Sequence, residues 1–289
     1  MGHRPPISKK VEEIIRIRNY TILDNYSWLK HLHTDPDVLK YISQENAFTN
    51  ATLRKTERLQ NALLSELEGD QERQQDWDDE ISQFWEWGSY TYYIWNPSNR
   101  SYPIYLRRNT SADCIFKPDP RIDQVVLNYN DYIPSSSSYF STGIFEVSPD
   151  GNLLAFSFDT KGNEEFVLCI LDLVKGTKLN IPIIYTYYSG RWFVDRANAT
   201  HFYFNSVDKV YGIPRHIHRI CITGCSFSIF SKELIYTEPD IALTVELKLT
   251  NDLAYLFIKV QIFNLTHFSF LSLLVKLLQN TGLLIYLKM

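Results

Sequence analysis

Glycine is scarce in this chain, eleven residues among 289, and no two glycines stand four positions apart. That spacing excludes a Gly-x-Ser-x-Gly nucleophile elbow, where small flanking residues let a strained strand-to-helix turn expose the serine hydroxyl. Glycine loops that cradle phosphates are missing too. Cysteine is limited to Cys114, Cys169, Cys221 and Cys225. With no apolar signal segment at the start, these read as reduced thiols of a cytoplasmic protein. The opening Met1-Gly2-His3-Arg4-Pro5-Pro6 lacks the Ser or Thr that an N-myristoylation signal needs. Sequons at Asn25, Asn50, Asn99, Asn109, Asn198 and Asn264 read as chance without a secretion signal. No charge of one sign dominates: the formal net charge is −4 and no basic stripe stands out, so nucleic acid is not an expected partner.

What the chain does have is aromatic side chains, with nineteen Tyr, seventeen Phe and six Trp. Such residues suit pleated, half-buried surfaces, so the expectation is a mainly β protein. The exception is residues 35 to 68, which read as helix. Asp35 can cap, Pro36 suits the first helical position and Asp37 complements the dipole; Leu59, Leu63 and Leu67 fall four apart on one face. This is one long helix or two joined near Asn50. The acidic run from Glu66 to Glu80 reads as a solvated connection. Beyond it come strand-like runs at Tyr90–Trp95, Tyr102–Leu106, Gln124–Leu127, Leu153–Phe158, Phe166–Leu171, His201–Phe204 and Tyr255–Ile258.

A repeat runs through that region. Phe145–Phe156 can be laid over Phe193–Phe204 at an offset of 48, and over Leu249–Phe257 further on, with Gly88–Tyr93 as a weaker early copy. Each unit is a turn followed by an apolar strand, and periods of about 40 to 50 residues are those of four-stranded propeller blades. Ser148-Pro149-Asp150-Gly151 carries the turn chemistry.

Asp24-Asn25-Tyr26-Ser27-Trp28-Leu29-Lys30, then Thr34-Asp35-Pro36-Asp37-Val38-Leu39-Lys40-Tyr41-Ile42 and Glu45-Asn46-Ala47-Phe48-Thr49, resemble the N-terminal signature of the prolyl oligopeptidase family of serine peptidases, most closely its oligopeptidase B branch. Tyr102-Pro103-Ile104-Tyr105 with Arg107-Arg108, the stretch Phe145 to Asp159, and Tyr236 to Asp240 resemble blade segments of the same family in the same order. The resemblance implies a seven-bladed propeller capping an α/β-hydrolase domain, which filters substrates so that short peptides enter. These residues account for a partial propeller of about three to four blades. The organisation expected is an N-terminal helical segment over 1–75, the partial propeller over 76–260 and a divergent apolar C-terminal tail over 261–289.

No Asp or Glu follows Asp252, and the tail departs from the family pattern. A replaced C-terminus, a buried helix of a divergent module and a membrane anchor are the readings open for it; Lys276, Gln279, Asn280 and Gly282 interrupt it short of a span. An open part-propeller is expected to expose blade faces and to be prone to aggregation.

For chemistry, Ser135 to Ser138 after Pro134 read as a loop. His216, His218, Cys221 and Cys225 have zinc-ligand chemistry, but on a strand Cys221 points away from the two histidines unless Gly224 bends the chain. His31 and His33 read as a surface turn, and Trp85, Trp87 and Trp95 as packing between blades. No catalytic, cofactor or metal residue is assigned. The expected function is the gating propeller region of an oligopeptidase B-like enzyme, inactive without the hydrolase domain. Its partners are short peptides and that domain, or a second chain completing the ring. The alternative is a non-catalytic propeller-type module that binds a peptide or protein, with the apolar tail as its anchor.

Overall fold

In the computed structural model, residues 4–17, 20–32, 34–73, 79–82, 84–110, 118–133, 139–195, 198–223, 230–262, 274–278 and 284–288 are described. Two compact units divide the chain, Met1–Trp77 and Asp78–Met289.

The first unit opens with a hairpin that the helical reading of its sequence did not foresee: β1 (Glu13–Ile17) pairs antiparallel with β2 (Tyr20–Asp24). Trp28 follows and is buried, its indole N–H donating to Lys9 O at 3.1 Å while the Lys9 ammonium sits 4.5 Å above the ring. Helix α1 (Pro36–Leu53) starts where its sequence dictates, with Asp35 Oδ1 accepting from Asp37 N at 2.9 Å. Val38 is its buried anchor. A 3-10 turn over Arg54–Thr56 then leads into α2 (Glu57–Arg73), so the helical stretch is two helices, and the acidic run is helical as far as Arg73. Leu59, Leu63, Leu64 and Leu67 all lie exposed on α2.

The second unit is four antiparallel sheets in succession. Blade 1 holds β3 (Glu80–Ile81) and β4 (Trp85–Trp87), both paired with β5 (Tyr90–Asn96), then β6 (Ile104–Asn109) and β7 (Gln124–Asn128). Blade 2 runs β8 (Ser141–Val147), β9 (Leu153–Asp159), β10 (Phe166–Asp172) and β11 (Thr177–Lys178), with β12 (Tyr185–Thr186) also on β10. Blade 3 is β13 (Gly190–Val194), β14 (Thr200–Asp208), β15 (Ile213–Thr223) and β16 (Lys232–Thr237). Blade 4 is β17 (Leu243–Leu249), β18 (Leu256–Ile262), β19 (Leu274–Leu278) and β20 (Leu284–Lys288). The last two strands come from the apolar tail, where helix and membrane anchor had been the structured readings. Among the described residues no helix is long and apolar enough to cross a membrane.

Each blade packs face to face on the next, as the repeat implies. Tyr92, Val126 and Tyr129 meet Leu154, Phe156 and Cys169 between blades 1 and 2. Ile144, Leu168 and Ile170 meet Trp192, Phe202 and Phe204 between blades 2 and 3. Phe193, Tyr203 and Ile217 meet Val245, Leu247 and Ile258 between blades 3 and 4. Buried Arg107 pins the first junction, with Nε on Gln124 Oε1 at 2.8 Å, Nη1 on Gly151 O, and its guanidinium 3.9 Å above the Tyr90 ring. The other face of blade 1 is covered from within rather than left open. Tyr93, Ile104 and Leu106 are buried there, with Phe84 edge-on to Tyr93 and Asp123 accepting from Tyr93 Oη at 2.7 Å.

Candidate functional site: the inner edge of the blades

Strands β8, β13 and β17 are the first strands of their sheets, and β13 lies against both β8 and β17. Sheets that fan out from a shared edge bring their first strands together, so these strands line the inside of the array. Their polar positions form a charged band. Arg191 on β13 reaches back to the carboxylate of Glu146 on β8, and the Trp192 indole donates to Glu146 O at 2.8 Å. On blade 4, Glu246 accepts from Lys248 at 2.8 Å and from Lys259 on β18 at 3.3 Å. Burial holds the Glu146 carboxyl above the usual carboxylate range, against the pull of Arg191 and Lys248. Glu246 lies below that range, because the two lysines outweigh its burial. The band can orient charged or zwitterionic chain ends, and it holds no nucleophile. Sequence reasoning passed over these residues, although each is a polar position in an alternating strand.

The residues weighed for chemistry are scattered. His216 Nδ1 faces Thr237 Oγ1 at 3.0 Å and its Nε2 lies 3.5 Å from Asp208. His218 is buried, with Nε2 at 2.9 Å from Ser206 Oγ. Cys221 is disulfide-bonded, against the expectation of reduced thiols, and its partner lies outside the described residues, as do Cys225 and Gly224. Among the described residues no cluster of three His, Cys, Asp or Glu side chains could hold a metal. Ser135 to Ser138 and His33 lie outside the described residues, and His31 sits on a 3-10 turn. Trp85 stacks on Tyr92 at 5.6 Å and Trp87 donates to Ser148 O across the first blade junction, both as packing groups. Trp95 packs on the other face of blade 1.

The Ser206–His218 pair is the nearest approach to a nucleophile and base. Burial, with Lys232 and His216 nearby, pushes the His218 imidazole down to about 4, which makes it a weak base. Among the described residues no carboxylate engages its ring, and both side chains are buried in blade 3, so substrate cannot reach them.

Residues 5–276 match the family model described as the prolyl oligopeptidase N-terminal beta-propeller domain. Protease 2 of Moraxella lacunata is 23% identical over 259 residues, covering 88% of this chain and 35% of that protein. An uncharacterized peptidase of Sinorhizobium fredii is 26% identical over 179 residues, 61% of this chain and 23% of that protein. Oligopeptidase B from Leishmania major superposes with a TM-score of 0.71 at 17% identity, over 98% of this chain and 39% of that one. The chain thus spans little more than a third of the length of these proteins, or less.

Proposed function

Because this chain belongs to the prolyl oligopeptidase family, as part of its N-terminal β-propeller domain, we propose that it is the substrate-filtering part of an oligopeptidase B-like serine peptidase whose cleavage is performed by an α/β-hydrolase domain outside these 289 residues. The observation that carries this reading is the set of charged pairs on the first strands of blades 2 to 4, Glu146 with Arg191 and Glu246 with Lys248. A passage edged by these strands admits an extended short peptide and orders its charged ends, while a folded protein is kept out. Binding surface without a nucleophile or oxyanion donors gives no transition-state stabilisation, so these residues by themselves hydrolyse nothing.

The leucine stripe of α2 supports the same reading. Leu59, Leu63 and Leu67 are 59%, 50% and 65% exposed, an apolar face of the kind that a partner surface covers. We assign that partner to the hydrolase domain. The test is to add the chain to a separately expressed hydrolase domain of an oligopeptidase B. The expected result is co-elution, restriction of cleavage to short peptides, and loss of both with Leu63→Glu. A chain that neither binds nor alters cleavage overturns the reading and leaves the stand-alone binding module. The cytoplasm is the compartment proposed.

A further inference from the structure

Three tyrosines and a carboxylate gather where blade 2 meets blade 3, outside the inter-blade cores. Tyr139 leads into β8, Tyr187 and Tyr188 join β12 to β13, and Glu164 sits on the turn from β9 to β10. Their supports are rigid. The Asn205 carbonyl accepts from Tyr187 N at 2.8 Å, its side-chain oxygen accepts from Ser189 N at 3.0 Å, and its amide donates to Val245 O at 3.0 Å. On the turn, buried Asp159 accepts from the backbone N–H groups of Lys161, Gly162 and Glu164 at 2.7, 3.1 and 2.9 Å. Tyr187 and Tyr188 stand edge to face with ring centroids 4.6 Å apart, and Tyr188 rests on Phe166 at 4.6 Å. The Tyr139 ring lies over Gly162, 3.8 Å from where a Cβ would stand. Tyr139 and Tyr188 are nonetheless 45% and 48% exposed.

The charges beside these rings say what they attract. Glu165 pairs with Lys209 at 3.1 Å, and Asp159 is engaged by the turn. Glu164 accepts only from Tyr187 Oη, at 3.3 Å, and among the described residues no cation pairs with it, although Lys161 stands on the same turn. Burial and then Glu164 push the Tyr187 hydroxyl up to about 12, and the same two causes raise Tyr188, so both rings stay neutral phenols. Electron-rich ring faces next to an unmatched carboxylate favour a cation. The donor set narrows its kind. Among the described residues no cluster of three His, Cys, Asp or Glu side chains could hold a metal ion. A primary ammonium is strongly hydrated, and one exposed carboxylate replaces little of that water. A methylated ammonium carries no such shell and lays its methyl groups on aromatic faces.

We propose that Tyr139, Tyr187, Tyr188 and Glu164 form a site for the trimethylammonium group of a small soluble molecule of the choline type. Charged side chains rather than an apolar rim flank it, Lys161, Glu165 and Lys209 among them, which favours a dissolved ligand over a membrane headgroup. The site is separate from the charged pairs on the first strands and does not depend on the filtering role.

The experiment titrates the intact chain with choline chloride and follows the choline methyl protons by NMR saturation transfer. Transfer should saturate, and the uncharged tert-butyl isostere of choline should bind about tenfold more weakly, because it fills the same space without the charge. Glu164→Gln keeps an acceptor for Tyr187 and removes only the charge, so its affinity for choline should fall several-fold. Tyr188→Leu, at a half-exposed position, should lower affinity about tenfold, with the unfolding midpoint measured to show that the fold stands. If Tyr188→Leu does not fold, Glu164→Gln decides alone. Transfer that does not saturate, equal binding of the isostere, or unchanged affinity in Glu164→Gln overturns the proposal. Binding to phosphatidylcholine vesicles without binding to choline overturns it too, and assigns the tyrosines to a membrane surface.

Discussion

His218 shows how one buried side chain ties blade 3 to pH. Its ring stacks on Phe204 at 5.5 Å and receives or donates one hydrogen bond with Ser206, and burial brings its pKa from 6.5 down to about 4. The sign follows from which state binds the proton. The unfolded chain takes it up near pH 6.5 and the folded chain only near 4, so the stability contributed by neutral His218 is complete above 6.5 and is lost as pH falls toward 4. From pH 7 to pH 5 the loss is about 2 kcal/mol. Urea unfolding at the two pH values should show that difference in the natural chain and a much smaller one in His218→Gln. The sequence drew attention to His218 for its zinc-ligand chemistry, whereas its actual partner is a serine on the neighbouring strand. Ser206 and His218 lie twelve residues apart in sequence, and only the register of β14 on β15 brings them together.

At the scale of the element, the repeat read in the sequence is the hairpin that joins the first two strands of blades 2, 3 and 4. The turn of blade 2 is closed by Ser148, whose hydroxyl donates to Asp150 at 2.5 Å and accepts from Leu153 N at 2.8 Å. Thr250 repeats this in blade 4, donating to Asp252 at 2.5 Å and accepting from Tyr255 N at 3.0 Å. Blade 3 uses Asp195 instead, which accepts from Ala199 N at 2.9 Å and from the buried His201 ring at 3.0 Å. Each turn needs one left-handed residue, and Gly151, Asn198 and Leu253 occupy that position with φ of 73°, 60° and 59°. Glycine is at ease there, asparagine tolerable and leucine strained. Leu253→Gly should therefore raise the free energy of unfolding by up to about 1 kcal/mol. Gly151→Ala should lower it, since the new Cβ meets the Tyr90 ring at 3.3 Å on a left-handed backbone. These hairpins were legible because turn residues and apolar runs recur in step. The β1–β2 hairpin was not, for its exposed positions Ile14, Tyr20, Ile22 and Leu23 show no buried face to read. The end of α2 was missed because an acidic, leucine-poor stretch looks alike as linker or as solvated helix.

For the whole blade array, burial distinguishes inner from terminal sheets. In β9 the run Leu154, Ala155, Phe156 and Ser157 is buried on both faces, as a sheet between two others must be. In β17 and β18 burial alternates: Val245, Leu247, Ile258 and Val260 pack on blade 3 while Glu246, Lys248 and Lys259 pair with one another on the other face. The number of blades could be read from the repeat, and the inter-blade cores from the continuous apolar strands. The charged band could not, because it depends on which strands meet at the inner edge, and that follows from how the sheets pack rather than from any local spacing. The tail was hidden for a similar reason. An apolar run fits a strand as well as a helix or an anchor, and pairing with β18 decides among them.

The most direct test of the account is to expose the purified chain to a fluorophosphonate serine probe and, in parallel, to a fluorogenic peptide with a basic residue before the scissile bond. The filtering role without its own chemistry predicts no labelled serine, Ser206 included, and no hydrolysis above buffer. Stoichiometric labelling of one serine together with turnover that the label abolishes would contradict it, by showing that these residues hold a working nucleophile.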